Sequence, residues 1–536
     1  MLSRRSLWFG FLLLPALPAF GQKAVALHRP VQAHSSKSSA PATGPQVRAI
    51  VLPVDGFDSD SAQTIITRDL SYGDRVQIVG AGDTHPATAE VKAVATASGV
   101  TVSLIDPLSG SVRQQQEFPL PVVAARNDQA IADALNQAFA ARQLMRNTRL
   151  VRAEGVRDSL QFEMAKKAPR LRSRKSKEEY AALVAQRDLM LHATLTDIAS
   201  IQNEGQRDEA GRAAEQHDAI AQATVGRDSA MRARRWALHG ISDAVEEWMT
   251  GHRGIAQSRV AYVSKGLIHV VDFDGANDHA VTQIDKDGDR AMSPAWNRDG
   301  TALVFSEMSD AGTQIALVDL VSGKTRVLGA TPRGLNITPI FTPDGKSVIY
   351  ANGTDYRTSI VSVRLDNPAS VTHLPLSRLF DADEPVLSPD GTRIAYVSSR
   401  PKTPQIYSAN LDGTDERVEA PAPPKGRVYH TSPDWSPDGR MIAYQQQNGD
   451  FQVWVVDRSD HKVRKLTTVG ENEDPSWAPD ARHLALTSNR GGAKAIWVLD
   501  TQSGHFRQLT AAGDARLSAW SGPLGVTQQA PLAIAR

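Results

Sequence analysis

A short phrase recurs five times in the second half of the chain and constrains its fold more than any other feature. Each copy places a short apolar run, usually with a Pro, before a Pro-Asp-Gly-like turn and a second apolar run, as in DEPVLSPDGTRIAYVSSR at residues 383–400. The turn aspartates lie 45, 46, 48 and 42 residues apart; they are Asp299, Asp344, Asp390, Asp438 and Asp480. A period of about 40 to 50 residues is typical of β-propeller blades.

Each repeat contains the patterns of four strands. The first is brief, carries a Pro where no ladder donor is needed, and ends near the turn, for example at Trp435 or Trp477. The second follows the turn, as at residues 393–397, and the later strands flank a polar turn, as in residues 452–463. Four strands of this kind make one propeller blade.

The two ends of the repeat region complement each other. Residues 259–283 supply outer strands without an inner strand, and residues 516–523 supply an inner strand without followers. Trp520 lies 43 residues after Trp477, in register with the repeat. We therefore expect a six-bladed propeller whose last strand completes its first blade and leaves no open sheet edge.

Length and composition limit the other possibilities. With 536 residues the chain exceeds one compact core, and its 41% hydrophobic and 22% charged content is that of an ordinary globular protein. A net charge of +1 favours no polyanionic partner, and we expect no nucleic-acid binding. The absence of Cys excludes disulfides, thiolate catalysis and Cys-ligated metal sites.

The N-terminus has the pattern of an export signal. Arg4 and Arg5 precede an apolar run at residues 7–20, and Ala19 to Gly21 suit cleavage before Gln22. The run is short for a membrane span, although a retained anchor stays an alternative, as does the twin-arginine route. The sequence predicts a signal peptide at residues 1–21 and a flexible Ser/Ala/Pro-rich leader at residues 22–46.

Between the leader and the repeats the pattern predicts a small α/β domain, a charged helical insertion and a connecting helix. Strand, helix, hairpin and helix patterns follow one another at residues 47–145, with Ser59 or Asp60 as a cap of the first helix. Residues 146–235 hold almost no strand signal, and residues 236–256 form the connecting helix before the propeller at 257–525 and a tail at 526–536.

The helical insertion predicts a charged hairpin of two helices. Its first apolar stripe comprises Ala181, Val184, Leu191, Leu195 and Ile198, and its second comprises Ile220, Ala223 and Ala230. A basic run from Lys166 to Lys177 holds seven cationic residues and no acid. This run is either a contact for an anionic surface, such as lipid head groups, or a solvated loop.

The repeats, the export signal, the small α/β domain and the connecting segment at residues 241–264 together resemble the TolB family of the Tol-Pal system. The resemblance covers residues 47–145 and 236–524, and the helical insertion departs from it. It implies a non-catalytic periplasmic monomer without a cofactor. It further implies that one propeller mouth binds a Pal-like peptidoglycan-associated lipoprotein and that the N-terminal side communicates with a TolA-like inner-membrane protein. The role that the resemblance implies for the whole system is to maintain the outer membrane during division.

The resemblance also suggests site residues at that mouth. A Glu-Pro before an inner strand in the family matches Glu384 and Pro385, and the corresponding positions of the other repeats are Ser293, Thr338, Ser432 and Asp474. We expect these residues on loops entering the inner strands, opposite the Pro-Asp-Gly turns. Asp383 and Glu473 would make the mouth acidic and able to bind donors of a partner, unless the acids merely cap turns.

Two other functions stay open. A serine peptidase would need a Gly-x-Ser-x-Gly elbow, which the sequence lacks, but a lyase or hydrolase in the channel would have histidines available at 269, 373, 430, 461, 483 and 505. Their scattered repeat positions predict surface residues. A structural scaffold acting through the basic insertion is the third possibility. The acidic run at residues 285–289 lacks the Gly and Glu of a calcium loop, so no metal site is expected.

Overall fold

A computed structural model describes most of the chain from Val47 onwards. The described residues are 47–80, 82–124, 127–166, 170–283, 290–310, 312–328, 334–354, 357–376, 380–400, 403–420, 427–511 and 513–524. The predicted signal peptide, leader and tail, and the acidic run at 285–289, lie outside them.

The first domain is a mixed sheet covered by helices. Its elements are β1 (Val47–Val51), β2 (Asp55–Gly56), α1 (Ser59–Tyr72), β3 (Val76–Ile78), β4 (Ala89–Ala95), β5 (Gly99–Ile105) and β6 (Val112–Pro119). The sheet order is β3-β1-β4-β5-β6, with β2 beside β4. β1 pairs in parallel with β3 and β4, and the predicted β5–β6 hairpin is antiparallel. Asp58, not Ser59 or Asp60, is the N-cap of α1.

Two long helices follow, α2 (Asp128–Ala165) and α3 (Arg174–Thr250). They pack against each other in an antiparallel hairpin with a small core of Ala153, Ile198 and Ile201. The prediction of a second helix at Ile220 is wrong, because α3 is continuous and pairs with α2. No Pro interrupts α3, and its internal glycines each weaken a helix by only about 1 kcal/mol.

Helix α3 also joins the domains. Its C-terminal part buries Leu238, Ile241 and Val245 against the sheet of the first domain and ends at Gly251, which caps it in a left-handed conformation. The predicted boundaries at 145/146 and 235/236 fall inside α2 and α3, since each helix continues through the change in composition. Among the described residues, no helix is both long enough and apolar enough to cross a membrane.

The remaining strands form six four-stranded sheets within the described residues, as predicted. Blades 1 and 2, inner strand first, consist of β10 (Arg290–Trp296), β11 (Ala302–Ser309), β12 (Gly312–Asp319) and β13 (Thr325–Leu328), and of β14 (Leu335–Phe341), β15 (Ser347–Thr354), β16 (Arg357–Arg364) and β17 (Asn367–His373). Blades 3 and 4 consist of β18 (Asp383–Leu387), β19 (Arg393–Ser398), β20 (Gln405–Asn410) and β21 (Arg417–Val418), and of β22 (Tyr429–Trp435), β23 (Met441–Asn448), β24 (Asp450–Asp457) and β25 (Val463–Lys465). Blade 5 consists of β26 (Asn472–Trp477), β27 (His483–Ser488), β28 (Ala495–Asp500) and β29 (Phe506–Gln508).

Blade 6 is the predicted composite of both ends of the repeat region. β30 (Arg516–Trp520) is its inner strand and pairs with β7 (Arg259–Ser264), followed by β8 (Leu267–Asp272) and β9 (His279–Ala280). Trp520 lies opposite Val260, and its indole N–H donates to the Ser258 hydroxyl at 2.8 Å. Trp435, Trp477 and Trp520 are buried and the fourth repeated tryptophan, Trp296, is partly buried, so these residues pack within the blades.

Candidate functional site

All six inner strands carry a β-bulge at the same position, and five of the predicted site residues occupy it, whereas Asp383 and Glu473 directly precede it. Pairing with the second strand shifts register there in every blade. The bulged residues have φ between 48° and 55°; they are Ser293, Thr338, Glu384, Ser432, Asp474 and Leu517. Left-handed backbone is uncommon for residues other than Gly, so six in register mark a shared, specified feature of the ring.

This placement corrects the prediction of entry loops. The bulged residues lie within the inner strands and therefore line the central channel. In five blades the next residue is a Pro, which has no N–H for the ladder, and pairing with the second strand resumes only after it. We call the end of the channel where the inner strands begin the entry mouth, and the opposite end, with the Pro-Asp-Gly turns, the turn end.

Carboxylates at the bulges link neighbouring blades. Glu384 Oε2 accepts a hydrogen bond from the backbone N–H of Ser432 at 2.5 Å, and Asp474 Oδ2 accepts one from Leu517 at 3.2 Å. The N–H of Asp474 in turn donates to the Gln445 amide oxygen of blade 4 at 2.8 Å. At these three bulges the N–H points away from its own ladder, and a side chain of the preceding blade satisfies it.

A further carboxylate lies deeper along the inner strands. Asp434 Oδ2 accepts a hydrogen bond from the backbone N–H of Trp477 in the next blade at 2.6 Å. The equivalent N–H of Trp520 donates to the Ser476 hydroxyl at 3.0 Å. Asp434 follows the Pro of its repeat, a position where the sequence showed no functional signal beyond the repeat itself.

These channel carboxyls hold their protons more tightly than exposed ones. Burial raises the pKa of Glu384 to about 7. The hydrogen bond from Ser432 lowers this pKa, and the charges of Asp383 and Asp474 raise it further. Burial likewise raises the pKa of Asp434 to about 7 and that of Asp474 to about 6. The channel therefore gains negative charge as the pH rises through about 6 to 7.

The other predicted residues differ in their availability. Glu473 forms an ion pair with Lys494 at 2.9 Å, so it adds little net charge to the mouth. Within the described part of the chain, Asp383 Oδ1 and Thr338 Oγ1 are buried acceptors without a hydrogen-bond partner. Burial raises the pKa of Asp383 to about 6. Unsatisfied buried acceptors are costly, so these two atoms suit a donor supplied from outside.

The first domain occupies the turn end, which leaves the entry mouth to face away from it. Arg75 contacts the turn carboxylate of Asp480 at 3.2 Å, and Asp74 contacts His505 at 2.9 Å. His483, buried beside both acids, lies 2.8 Å from Asp480 and 3.3 Å from Asp74. These contacts tie the first domain to blade 5.

A second cluster fixes the first domain to blade 6. His239 on α3 lies 2.6 Å from Asp69 and 3.6 Å from Asp274, and both Arg68 and Arg235 contact the same Asp274 carboxylate. The two clusters have ligand atoms close enough for a cation. The neighbouring guanidinium groups already provide positive charge, so we interpret both clusters as interdomain ion pairs.

The histidines do not form a common site. The prediction of surface positions is wrong for His430 and His483, which are buried. His430 lies 2.9 Å from the Ala420 carbonyl oxygen, and burial lowers its pKa. His483 follows the turn acid Asp480 by three residues, and this spacing in the sequence was the available signal for its ion pair. A cavity of about 1020 Å³ near this interface is lined by side chains of both signs, including Arg75, Asp457 and Arg464.

Comparison with known proteins places the chain among propellers of one family. The family described as TolB beta propeller domain matches residues 246–524. Two proteins named Tol-Pal system protein TolB are 25% identical: that of Francisella tularensis subsp. holarctica (strain OSU18) over 273 residues and that of subsp. tularensis (strain SCHU S4 / Schu 4) over 275. Each match covers 48% of this chain and 61% of the relative.

A solved structure extends the likeness to most of the described fold. The crystal structure of TolB from Acinetobacter baumannii superposes with a TM-score of 0.60 and covers 90% of this chain and 98% of its own. The sequence identity in that superposition is 18%. The likeness is one of fold: an N-terminal domain followed by a propeller.

Proposed function

The chain belongs to the TolB family, and from that premise we propose that it is a periplasmic, non-catalytic component of a Tol-Pal-like envelope system. Its entry mouth binds a segment of a Pal-like peptidoglycan-associated lipoprotein, and this attachment supports outer-membrane integrity during division. The relatives it matches are named Tol-Pal system proteins, which supports the system but not the individual contact.

The observation that carries the proposal is the ring of bulged residues around the channel. The bulged residues Glu384 and Asp474, with Asp383 directly before Glu384, present acceptors, and Thr338 Oγ1 and Asp383 Oδ1 have no hydrogen-bond partner among the described residues. A peptide segment offers backbone N–H groups, and its Lys or Arg side chains offer charge-assisted donors. Such a segment would satisfy these atoms. We therefore propose that the ligand presents hydrogen-bond donors or a cationic side chain to the entry mouth.

The second proposed partner is a TolA-like inner-membrane protein, contacted from the N-terminal side of the chain. The first domain lies at the turn end, opposite the entry mouth, so the two partners would approach from different sides. This separation supports simultaneous binding. An enzyme in the channel is a weaker proposal, because the buried His430 and His483 already bond to Ala420 and Asp480.

The proposal is tested by calorimetric titration of the mature protein with the soluble domain of a Pal-like lipoprotein from the same cell envelope. Asp383→Asn removes a negative charge and keeps the size of the side chain, so the variant should fold normally and bind at least about tenfold more weakly. The stronger change, Glu384→Arg with Asp474→Arg, also removes two interblade hydrogen bonds. Its folding is therefore checked by circular dichroism before its binding is interpreted.

Asp299→Arg is the matched control, since Asp299 is an exposed acid of a turn at the opposite end of the channel. It should bind like the unchanged protein. Equal binding by the folded entry-mouth variants and the control would place the contact elsewhere. Absence of binding by the unchanged protein would remove the Pal-like partner from the proposal.

A further inference from the structure

The hairpin of α2 and α3 ends in a concentrated patch of positive charge. Six described cationic residues between positions 166 and 177 have exposed side chains; they are Lys166, Arg170, Arg172, Arg174, Lys175 and Lys177. We call these six residues the basic tip. Glu163 contacts Lys166, and Glu178 contacts Arg174 at 3.0 Å. The other four residues of the basic tip form no ion pair with any described residue. The basic tip therefore keeps an excess of positive charge.

Large apolar side chains are also exposed on the same hairpin as these charges. Phe162 is 68% exposed and Leu189 is 71% exposed. The two helices run antiparallel, and the Arg187 contact with Glu163 at 3.4 Å brings the segments around these two residues to the same level of the hairpin. The ammonium group of Lys166 lies 5.2 Å from the centre of the Phe162 ring. At Phe162 a cation and an apolar group therefore share one surface, and Leu189 lies on the same hairpin about 18 Å along α3 from Lys177.

The basic tip lies far from the body of the protein. After Ile198 and Ile201 in the core of the hairpin, the next buried residue of α3 is Arg234. Its guanidinium group donates to the carbonyl oxygen of Ala97 in the first domain at 3.1 Å. The start of α3 is 60 residues away, which corresponds to about 90 Å of helix. The tip can thus touch an extended surface while the propeller stays clear of it.

We propose that the basic tip binds the anionic head groups of a phospholipid bilayer, with Phe162 and Leu189 entering the boundary between head groups and acyl chains. Lys and Arg near an anionic surface gain electrostatic energy, and exposed Phe and Leu side chains gain from leaving water. A soluble polyanion would use the charges alone. The exposed apolar pair on the same hairpin is therefore what favours a membrane, and the inference is independent of the ligand of the entry mouth.

The test is flotation of the mature protein with vesicles. Vesicles of phosphatidylcholine with one quarter phosphatidylglycerol should carry the protein upward, and pure phosphatidylcholine vesicles should not. Raising NaCl to about 0.5 M should greatly reduce the bound fraction, because salt screens exposed charges. No flotation with the anionic vesicles at low salt would overturn the proposal.

Two sets of substitutions with the same change in net charge distinguish membrane binding by the basic tip from attraction by the net charge of the whole protein. The test variant carries Arg170→Gln, Arg172→Gln, Lys175→Gln and Lys177→Gln. The control carries Arg298→Gln, Lys324→Gln, Arg326→Gln and Lys346→Gln, which are exposed residues of the propeller. Gln supports helices nearly as well as Lys and Arg, so the tip variant should fold. Its partition into anionic vesicles should fall at least about tenfold, whereas the control should bind like the unchanged protein.

A third variant tests the apolar part. Phe162→Ser with Leu189→Ser keeps every charge and should lower the partition at low salt by severalfold. Binding to soluble polyphosphate is measured in parallel. If the unchanged protein bound polyphosphate but did not float, or if the tip variant and the control floated equally, the lipid contact would be refuted.

Discussion

Glu384 accepts a hydrogen bond from the backbone N–H of Ser432 at 2.5 Å, and this contact joins blade 3 to blade 4 beside the channel. Burial raises the pKa of the carboxyl from 4.5 to about 7. The folded state therefore binds the proton more tightly than the unfolded chain. The resulting stabilisation is complete below about pH 4.5 and is lost as the pH rises through 7.

Glu384→Gln should consequently stabilise the protein at pH 8 by about 1 kcal/mol and have little effect at pH 5. Gln keeps the acceptor for Ser432 and removes the charge that burial disfavours. Urea unfolding at both pH values measures the difference. Glu209→Gln, at an exposed position of α3, is the control and should change neither value. A loss of stability in Glu384→Gln at pH 8 would contradict the argument.

His483→Gln should destabilise the contact between the first domain and blade 5 in a pH-dependent way. Burial opposes the charge of His483, but the adjacent Asp480 carboxylate outweighs it, and the pKa of the imidazole rises to about 9. The stabilisation it provides is therefore complete below about pH 6.5 and lost as the pH rises through 9. We expect a loss of about 2 kcal/mol in the free energy of unfolding at pH 6, and a smaller loss at pH 9.5.

Denaturant titrations of the His483→Gln variant at the two pH values provide that comparison. His217→Gln, on the exposed surface of α3, should match the unchanged protein throughout. If the loss in His483→Gln were as large at pH 9.5 as at pH 6, the imidazole would act by packing and not by charge.

Trp520→Ala should weaken the closure of the propeller by about 3 to 5 kcal/mol. The Trp520 side chain is buried, packs near Phe273 and donates to Ser258, so the truncation leaves a cavity and removes one of the two hydrogen bonds of the Ser258 hydroxyl. Urea unfolding followed by tryptophan fluorescence measures the loss. Trp454→Ala, at a partly buried position of blade 4, should cost clearly less. A larger loss of stability in Trp454→Ala would contradict the argument that the closure of the ring is its weak point.

Shortening the hairpin in register should leave the rest of the fold intact. The hydrogen bond between Arg212 and Asn136 at 2.7 Å, and the Arg149 contact with Glu204 at 3.0 Å, place residues 141 and 210 near each other. Deleting residues 142–209 and joining the helices by a short Gly/Ser loop should remove about half of their helical residues, with a melting temperature within a few degrees of the original.

Circular dichroism and thermal melting test the shortened protein. Deleting residues 234–246 is the contrasting variant, because it removes Leu238, Ile241 and Val245 from the core of the first domain, and it should not fold. An unfolded product from the in-register deletion would show that the hairpin contributes to the stability of the domains.

The propeller was predictable because its determinants are local and repeated. A Pro-Asp-Gly-like turn needs a few residues, and the spacing of Asp299 to Asp480 counts the blades without any knowledge of their contacts. The spacing of Trp520 from Trp477 then predicts the long-range pairing of β30 with β7, which closes the ring. The two ends of that pair are separated by about 250 residues, yet the repeat itself fixed their register.

The geometry of the site was less accessible to sequence reasoning. Ser, Thr, Glu and Asp at the bulge share no intrinsic preference for left-handed backbone, so the bulge at Glu384 results from the ladder and the following Pro. The ion pair of Glu473 with Lys494 joins strands of one blade across 21 residues, which the local pattern does not encode. The sequence pattern places a boundary at residue 235, where the density of charged residues changes, but local composition does not encode whether a helix continues across such a change, and α3 does.

The composite blade also imposes an order on synthesis. β7 is made early, and its inner edge has no partner until β30 has been added at the far end of the propeller region. Until then the growing chain carries an unpaired strand edge and incomplete packing around Phe273, features that promote aggregation. The ring can therefore be completed only after β30 has emerged, and the edge of β7 stays unpaired until then.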